Sequence, residues 1–324
     1  MTGRADGVLV LGEALIDLVP VTGCATDESA GAGAGSGSHS GSGERELERA
    51  QPGGAPANVA VGLARLGRPV SFAGALGSDG FARAIERRLT DAGVDLSLCA
   101  RPRLPTALAV ADPGPTGNGY HFHLESTATF QFPPREAEST HFGAVYAGGL
   151  AAVVEPAAGA VAATARMAAR HSLLVVDPNV REDRTIDPAR GHQLLRELCE
   201  LAHVVKASDE DLRRLWPDTD PDHSCRKLAE EGRLVVLTRG DRGATAFVPG
   251  GASVSAPAVA VEVVNTIGAG DAFMAGVLAW LGTEGGWQRE LSPDRAGAML
   301  DFASQIAASV VTQTGTEPTA PAQV

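Results

Sequence analysis

The sequence predicts an α/β fold, in which a mainly parallel sheet is covered by helices on both faces and a small second sheet is attached. After residue 140, segments of strand length alternate regularly with helical segments, which is the pattern of βα units. Between residues 106 and 124, two strand-like segments follow each other with no helix between them. This break in the rhythm predicts the small sheet. The chain has 324 residues and is 44% apolar, which is enough for a sizeable core.

The first half of the chain begins with a buried strand, Val8–Leu11, and Glu13–Val19 extends it or opens a second strand. Thr26–Gly43 is almost all Gly, Ala and Ser and predicts a flexible loop, because it cannot bury enough apolar surface to order itself. A short charged stretch, Glu44–Arg49, follows. Two helices are then predicted where apolar residues recur at helical spacing and a glycine follows. The remaining elements of this half are helices Ala57–Leu66 and Gly80–Asp91 and strands Val70–Ala75, Thr106–Ala111 and Tyr120–Leu124, with a hairpin loop at Pro113–Gly119.

The second half of the chain carries the regular alternation, with apolar strand segments and longer amphipathic segments in turn. The predicted strands are Ala144–Tyr146, Leu173–Val176, His203–Val205 and Leu234–Leu237, then a hairpin over Ala244–Ala256 and a strand Val259–Val264. The predicted helices are Ala157–Arg170, Pro188–Leu201, Asp209–Leu215, His223–Glu230, Gly270–Leu281 and Asp294–Val311.

The charge of the chain excludes some classes of partner. Its formal net charge is −12, and so acidic a surface repels nucleic acid backbones and anionic membranes. Lys206 and Lys227 are its two lysines, and neither follows a glycine. The chain therefore lacks the GxxxxGK[ST] loop, and a nucleotide would have to be held in another way.

The cysteines and the amino-terminal segment predict a cytoplasmic protein. None of the four cysteines forms a CxxC pair, so we expect free thiols in a reducing compartment. Glu13 and Asp17 interrupt the apolar stretch that a signal peptide would need. The most apolar segment, Gly143–Val154, is stopped by Glu155 and Pro156, and it is too short to span a membrane.

The most informative segment runs from Val263 to Asp271, where a predicted strand ends and a helix begins with small residues. Such a turn presents free N–H groups and the positive end of a helix dipole to one point. Gly268, Ala269 and Gly270 would let an anion approach the backbone closely. Asp271 is placed to accept a proton from an attacking hydroxyl while the amides stabilise the transferred group. A glycine-rich turn with a capping aspartate would give the same pattern.

A second glycine segment begins at Pro52. Gly53 and Gly54 suit a tight turn or a backbone pressed against a ligand. Asn58, in the first turn of the following helix, offers both a donor and an acceptor, as sugar hydroxyls require. Taken alone, this segment is better explained by a turn followed by a helix cap.

Together the two segments resemble the signatures of a known family. Gly53–Gly67 is similar to the first signature of the ribokinase-like (pfkB-type) carbohydrate kinases, and Thr266–Phe273 is similar to the second. Phe72–Gly80 resembles the family's segment after the first signature, and the similarity runs from about Val8 to Ala320. It implies one domain over residues 1–324 with a Rossmann-like α/β/α sandwich. It also implies a small β-sheet lid formed by segments of about 13–22, 44–52 and 99–128, with 26–43 as a flexible loop.

The resemblance implies ATP-dependent phosphorylation of a sugar hydroxyl, with Mg²⁺ bridging the ATP phosphates. Asp271 is then the general base, and Gly268, Ala269 and Gly270 hold the transferring phosphoryl group. The residues implied to bind sugar are Asp17, Gly53, Gly54, Asn58 and Arg181. Those implied to bind ATP are Lys206, Ser208, Thr238, Gly240, Gly243 and Ser304, and Asp211 and Glu210 are assigned to Mg²⁺ through water. Arg181 also fits an ATP phosphate or a plain ion pair at a strand end.

This chain departs from the family pattern at two places. The family usually has Asp where Asn265 stands, at a loop that binds a monovalent cation in several members, so the resemblance leaves potassium activation open. The family's N-x-x-E element is replaced by Ser208–Asp211. Serine in the first position is similar to the fructokinase branch, while Asp211 shortens the acidic side chain by one methylene.

Several segments indicate which sugar is phosphorylated. Gly12–Asp17, Pro105–Ala107 and Asp177–Arg181 resemble fructokinases, although 2-keto-3-deoxygluconate kinases share the Asp-Pro-Asn…Arg pattern. Those kinases tend to carry a lid arginine for the substrate carboxylate, and Gly119–His123 has none. We therefore expect a neutral sugar, with fructose first. An exposed lid edge predicts a homodimer.

Two other classes of function compete with a sugar kinase. A non-catalytic sugar- or nucleotide-binding relative is favoured only by Asn265 and the altered Ser208–Asp211 element. A nicotinamide dehydrogenase fits the α/β rhythm, but no GxGxxG follows the first strand, where Leu11, Gly12 and Glu13 stand instead.

Overall fold

A computed structural model describes residues 6–20, 48–112, 119–181, 186–264, 266–283, 287 and 290–312. The strands are β1 (Val8–Leu11), β2 (Leu15–Pro20), β3 (Glu48–Gly53), β4 (Val70–Ala73), β5 (Leu108–Asp112), β6 (Gly119–His123), β7 (Ala144–Gly148), β8 (Leu173–Asp177), β9 (Val204–Ser208), β10 (Leu234–Thr238), β11 (Ala244–Phe247) and β12 (Ser253–Ala256). The helices are α1 (Ala55–Arg65), α2 (Gly80–Asp91), α3 (Glu136–Ser139), α4 (Ala157–His171), α5 (Pro188–Leu201), α6 (Asp209–Leu215), α7 (Pro221–Glu230), α8 (Ala269–Leu281) and α9 (Pro293–Val311), with short 3₁₀ turns at Leu150–Ala152 and Gly240–Arg242.

The main sheet has eight strands within the described part of the chain, in the order β12-β11-β10-β9-β8-β7-β1-β4. The strands from β10 to β4 are parallel, while β11 and β12 are antiparallel additions at one edge. The chain leaves β1 toward β4 on one side and returns to β7 on the other. In open α/β sheets, such a reversal of direction opens a crevice at the carboxyl ends of the two central strands. The fold therefore marks the ends of β1 and β7 as the place for a ligand.

The core lies on both faces of this sheet because successive side chains of each strand point to opposite sides. Leu9, Val145 and Leu174 face one layer, which contains α4 and α5. Val8 and Val175 face the other layer, which contains α1, α8 and α9. This arrangement confirms the predicted α/β/α sandwich.

The small sheet has the order β3-β2-β5-β6 among the described strands. The strands β5 and β6 pair antiparallel, as the predicted hairpin requires, whereas β2 and β5 run parallel. The start of β2 follows closely after β1, so the small sheet is joined to the main sheet beside the crevice. No helix of the described residues has the length and hydropathy that a bilayer crossing needs.

The segment Glu48–Gly53, within the 44–52 stretch that the resemblance places in the small sheet, is a strand although its own sequence carries no β pattern, because it pairs with β2 along six residues. Two local predictions need correction. The helix α1 begins at Ala55, two residues early, since Gly54 takes a positive φ of 95° and a proline stands in the first turn. Val259–Val264 is not a strand. Val263 and Val264 are exposed there, and the amide of Val264 donates to the carbonyl of Val311. The predicted flexible loop Thr26–Gly43 lies outside the described residues.

Candidate active site

A cavity of about 250 Å³ lies in the crevice at the carboxyl ends of β1 and β7, roofed by the small sheet. Its walls come from the loops after β1, β7 and β8, from the amino-terminal ends of α1 and α8, and from β2, β5 and β6. The predicted site residues that line it are Asp17, Gly54, Asn58, Arg181, Lys206, Gly268, Gly270 and Asp271. The fold thus gathers residues from positions 17 to 271 into one cavity.

The amino-terminal end of α8 forms one wall of the cavity. Gly268 precedes the helix in the left-handed conformation, with a φ of 80°, and as a glycine it has no side chain to cap this helix end. Ala269 and Gly270 follow as the first helical residues, and Gly270 is exposed. The helix of 13 residues therefore directs its positive end into the cavity. This geometry suits an anionic group.

Asp271 stands in the first turn of α8, beside that helix end. Its Oδ2 accepts a hydrogen bond of 2.8 Å from Nδ2 of Asn58, on α1. Burial raises the pKa of Asp271, whereas the Asn58 bond and the charges of Lys206, Arg181 and Arg88 oppose the rise. A carboxyl group with a raised pKa is a stronger base once it is ionised, which suits proton abstraction.

Asp17 lies on β2 and faces the cavity from the small sheet. Burial, reinforced by the charge of Asp271, raises the pKa of Asp17 to about 6, against the lowering effect of Arg181 and Arg88. Gly53 pairs with Leu15 in the neighbouring strand. A Cβ atom on Gly53 would lie 1.9 Å from Oδ2 of Asp17. Gly53 therefore leaves the space that the Asp17 carboxylate occupies.

Gly54 has a different reason to be glycine. Its φ is +95°, and a Cβ atom there would lie 2.8 Å from the carbonyl oxygen of Glu13. The close approach brings the start of α1 against the loop after β1. Asn58 is placed at the cavity by this contact.

Glu13 is a functional candidate that the sequence reasoning missed. It follows β1 directly, is buried, and accepts hydrogen bonds from the amides of Leu150 (3.3 Å) and Ala151 (3.0 Å). Burial raises the pKa of Glu13 to about 7, against those amide bonds, and the charge of Asp271 adds to the rise. The available signal was a charged residue immediately after a fully buried strand. Glu13 ties the loop after β7 to the loop after β1, so it fixes two walls of the cavity.

Arg181 reaches the cavity from the loop after β8. Its side chain is exposed, and its Nη1 lies 3.3 Å from the carbonyl oxygen of Val180. Asn179 in the same loop has a φ of 39° and also lines the cavity. Arg181 supplies positive charge close to Asp17 and Asp271, and it lowers the pKa of both.

Lys206, on β9, forms a buried ion pair with Asp177, at the end of β8. The distance from Nζ to Asp177 Oδ2 is 2.8 Å, and the two residues are 6% and 0% exposed. Burial disfavours the charge of Lys206, but the nearby carboxylates of Asp177, Asp211 and Asp271 together outweigh that effect and raise the pKa of the lysine. A Cβ atom on Gly270 would lie 3.4 Å from Nζ. Lys206 therefore places a permanent positive charge against the amino-terminal end of α8.

The other predicted residues do not line this cavity. Ser208 caps α6 in a reciprocal capping box with Asp211, whose second oxygen accepts the amide of Val180 at 2.8 Å. Glu210 is exposed and lies 3.9 Å from Arg214. The residues Thr238, Gly240, Gly243 and Ser304 lie at the end of β10, in the turn after it and on α9. Ala269 and Gly53 do not line the cavity themselves, but residues next to them in the sequence, Gly268, Gly270 and Gly54, do.

Gly243 has a structural reason of its own. A Cβ atom there would lie 2.2 Å from the carbonyl oxygen of Ala256, and its φ is +83°. The glycine thus allows the turn after β10 to pack against the end of β12. Asn265, the position that bears on potassium, lies outside the described residues.

Comparison with known proteins adds two findings. The sequence profile described as "pfkB family carbohydrate kinase" matches residues 6–323. A fructokinase of Escherichia coli is 32% identical over 317 residues, covering 95% of this chain and 94% of that protein.

Solved structures with the same fold carry ligands. A fructokinase of Xylella fastidiosa with bound ATP has a TM-score of 0.81 and 25% identity, covering 97% of this chain and 95% of that one. A fructokinase double mutant of Vibrio cholerae O395, with fructose, ADP and potassium ion bound, has a TM-score of 0.78 and 25% identity over 98% of this chain and 95% of that one.

Proposed function

The chain belongs to the pfkB family of carbohydrate kinases and is therefore a sugar kinase, and we propose that it transfers the γ-phosphoryl group of ATP to a hydroxyl of fructose. One observation carries this proposal. A carboxylate held by Asn58, the Asp271 side chain, stands at the positive end of α8 and lines the same cavity as Asp17. An acceptor hydroxyl can meet a base and an anion site there at the same time.

The proposed chemistry uses these groups in turn. The acceptor oxygen attacks the γ-phosphorus, the bond from that phosphorus to the bridging oxygen breaks, and ADP leaves. Asp271 takes the hydroxyl proton. The amides at the start of α8 and the ammonium of Lys206 stabilise the negative charge on the transferred group.

We further propose that ATP lies along the carboxyl ends of β9 and β10, toward α9. Ser208 and Thr238 end the neighbouring strands β9 and β10, and Gly240 and Gly243 lie in the turn after β10. The helix α9, which carries Ser304, packs against β11 and β12 on the same side of the sheet order. Among the described residues, no three His, Cys, Asp or Glu side chains gather into a metal cage. Mg²⁺ in nucleotide sites is held mainly by phosphates and waters, and it would neutralise phosphate charge when bound. Asp211 and Glu210 would reach it only through water.

The walls of the cavity support a neutral acceptor. Asp17 and Asp271 both line it, and the aromatic rings of Tyr120 and Phe122 stack with centroids 6.0 Å apart on β6. Arg181 is the arginine that lines the cavity within the described residues. Carboxylates accept hydrogen bonds from sugar hydroxyls, whereas they repel an acidic sugar.

A panel of acceptors tests this proposal. ADP release is measured with fructose, 2-keto-3-deoxygluconate, ribose and adenosine, with Mg²⁺ throughout and with and without potassium chloride. We expect the highest kcat/KM for fructose. A higher value for 2-keto-3-deoxygluconate would identify Arg181 as a carboxylate anchor and overturn fructose. Binding of sugar without any ADP release would favour a non-catalytic relative.

The pH dependence of sugar binding is expected to report on Asp17. Its pKa of about 6 lies above the usual 3.8, so the carboxylate that accepts sugar hydroxyls is lost as the pH falls through 6. Sugar affinity, measured by calorimetry without ATP, should fall about tenfold for each pH unit well below 6. The variant Asp17→Asn should bind weakly and lose this step. An affinity that stays constant down to pH 5 would contradict the assignment.

Gly53→Ala is expected to weaken sugar binding. The added methyl would overlap the position of the Asp17 carboxylate, so the side chain must move, and we expect KM for the sugar to rise by about tenfold or more, as small misplacements cost. The matched control is Gly159→Ala, in α4, where the added methyl would meet only Glu155 at 3.5 Å. That control should keep wild-type kinetics. Equal KM values for the two variants would refute the role of Gly53.

We also propose that the small sheet acts as a lid and that two chains pair through it in the cytoplasm. The strands β3 and β6 are the edges of the small sheet among the described strands, and open strand edges invite pairing. Light scattering should give the mass of a dimer. A monomer at all concentrations would contradict the pairing without affecting the kinase assignment.

A further inference from the structure

Arg88, on α2, contacts the cavity residues from behind. Its Nη1 donates to Oδ1 of Asn58 at 2.9 Å and to the carbonyl oxygen of Pro52 at 3.1 Å. Arg88 does not itself line the cavity. Its side chain therefore lies behind the groups that face the acceptor.

The bond to Asn58 decides which way the amide points. A guanidinium has only donors, so it can bond only the oxygen of the Asn58 side chain. The amide nitrogen is then directed to Asp271 Oδ2, at 2.8 Å. The last torsion of an asparagine side chain is broad and roughly two-fold. Without Arg88, the amide could turn its oxygen toward the carboxylate, and two acceptors would then face each other.

The bond to Pro52 links the same arginine to the small sheet. Pro52 pairs with Ile16, next to Asp17, in the register of β2 and β3. One guanidinium group thus holds α1, β3 and α2 together at the edge of the cavity. A shift of the small sheet relative to α2 would change both bonds at once.

We propose that Arg88 is a positioning residue for phosphoryl transfer, which orients Asn58 toward Asp271 and couples the small sheet to the catalytic carboxylate. This inference rests on the proposed sugar-kinase function. Arg88 does not line the cavity, so it acts through Asn58 and through its charge.

The charge of Arg88 has its own consequence. It lowers the pKa of both Asp17 and Asp271. The other charged groups that act on Asp271 include Lys206 and Arg181, which also lower its pKa. Three acidic side chains, Glu13, Asp17 and Asp177, interact with it as well, and the charge of Asp271 raises the pKa of each of them. Loss of Arg88 should therefore move the acid limb of the kcat–pH profile to higher pH.

The variant Arg88→Met tests the proposal. We expect kcat to fall about 10- to 100-fold, as misplaced catalytic groups do, and the acid limb to rise by about 0.5 to 1 pH unit, as loss of a nearby opposite charge does. KM for ATP should stay within about twofold, because Arg88 is remote from the proposed nucleotide site. The matched control is Arg87→Met, the exposed neighbour on α2, which should keep wild-type kinetics.

Arg88→Lys separates charge from geometry. Lysine keeps the positive charge but lacks the planar fork, so the acid limb should stay at its wild-type position while kcat remains several-fold low. If Arg88→Met does not fold, Arg88→Lys carries the test, and a wild-type kcat in that variant would overturn the proposal. A lower melting temperature of Arg88→Met with unchanged kcat and pH profile would also overturn it, since that result describes a structural anchor only.

A double variant tests whether the effect runs through Asn58. If it does, Arg88→Met in the Asn58→Ala background should lower kcat by less than about twofold, because coupled residues are not additive. An undiminished loss in that background would refute the route. The wild-type assay distinguishes failure of the proposed kinase function from failure of the role proposed for Arg88. A wild type without sugar-dependent ADP release defeats the proposed function, whereas an active wild type with unaffected Arg88 variants defeats this inference alone.

Discussion

Asp271→Asn is expected to leave the fold intact and to reduce turnover by about 10³- to 10⁴-fold, the upper range of what a general base contributes. The amide keeps the size of the carboxylate, and its oxygen can still accept the 2.8 Å bond from Asn58. The variant cannot take the acceptor proton at neutral pH. The measurement is kcat with saturating sugar and ATP, and binding of both substrates should persist.

The control for that variant is Asp294→Asn. Asp294 also lies in the first turn of a helix, α9, but it is exposed and does not line the cavity. Its replacement should leave kcat unchanged. Wild-type turnover in Asp271→Asn would remove Asp271 as the base and would shift the proton transfer to Asp17 or Glu13, the other carboxylates that line the cavity within the described residues.

Lys206→Met is expected to have the largest effect on stability. The substitution leaves the Asp177 carboxylate, which is 0% exposed, without its cation, and Asp177 Oδ1 already has no hydrogen-bond partner among the described residues. Removing one partner of a buried ion pair costs about 3–5 kcal/mol. Chemical denaturation should show this loss. The affinity for ATP should fall as well, because Lys206 Nζ lies beside Gly270.

The chain supplies its own control for that prediction, because Lys227 is its other lysine. It is exposed on α7, so Lys227→Met should change stability by less than about 0.5 kcal/mol. The double variant Lys206→Met with Asp177→Asn should recover part of the lost stability, since no buried charge remains. Equal stabilities of the Lys206 and Lys227 variants would show that the ion pair contributes nothing.

Much of the main sheet could be predicted from local sequence because parallel strands are short apolar runs and the helices between them are amphipathic. The exceptions have physical causes. β3 is a strand because β2 offers it a pairing edge, although its residues Glu48–Gly53 have little β propensity. Val259–Val264 has the residues of a strand but no neighbouring strand, and its valines stay exposed.

The residues of the candidate site also fall into those that local sequence predicts and those that depend on distant contacts. Asp271, Gly268 and Asn58 could be predicted because each stands in a compact segment whose chemistry is local. Arg88 could not be predicted as a site residue, because its partner Asn58 lies 30 positions away in the sequence. The helical pattern of α2 also does not distinguish one of its arginines from another. Asp211 is a residue whose predicted role the structure does not favour. It is predicted near the metal, but one of its carboxylate oxygens accepts a hydrogen bond in the α6 cap and the other accepts one from the amide of Val180.

The transfer of phosphate to fructose with Asp271 as base is tested most directly by a ³¹P nuclear magnetic resonance measurement of the products formed from fructose and ATP. With the wild type we expect a phosphate monoester of fructose that accumulates in equal amount to ADP, and with Asp271→Asn we expect no ester above background. Formation of ADP with inorganic phosphate in place of the ester, or equal ester formation by the two proteins, would refute this chemistry.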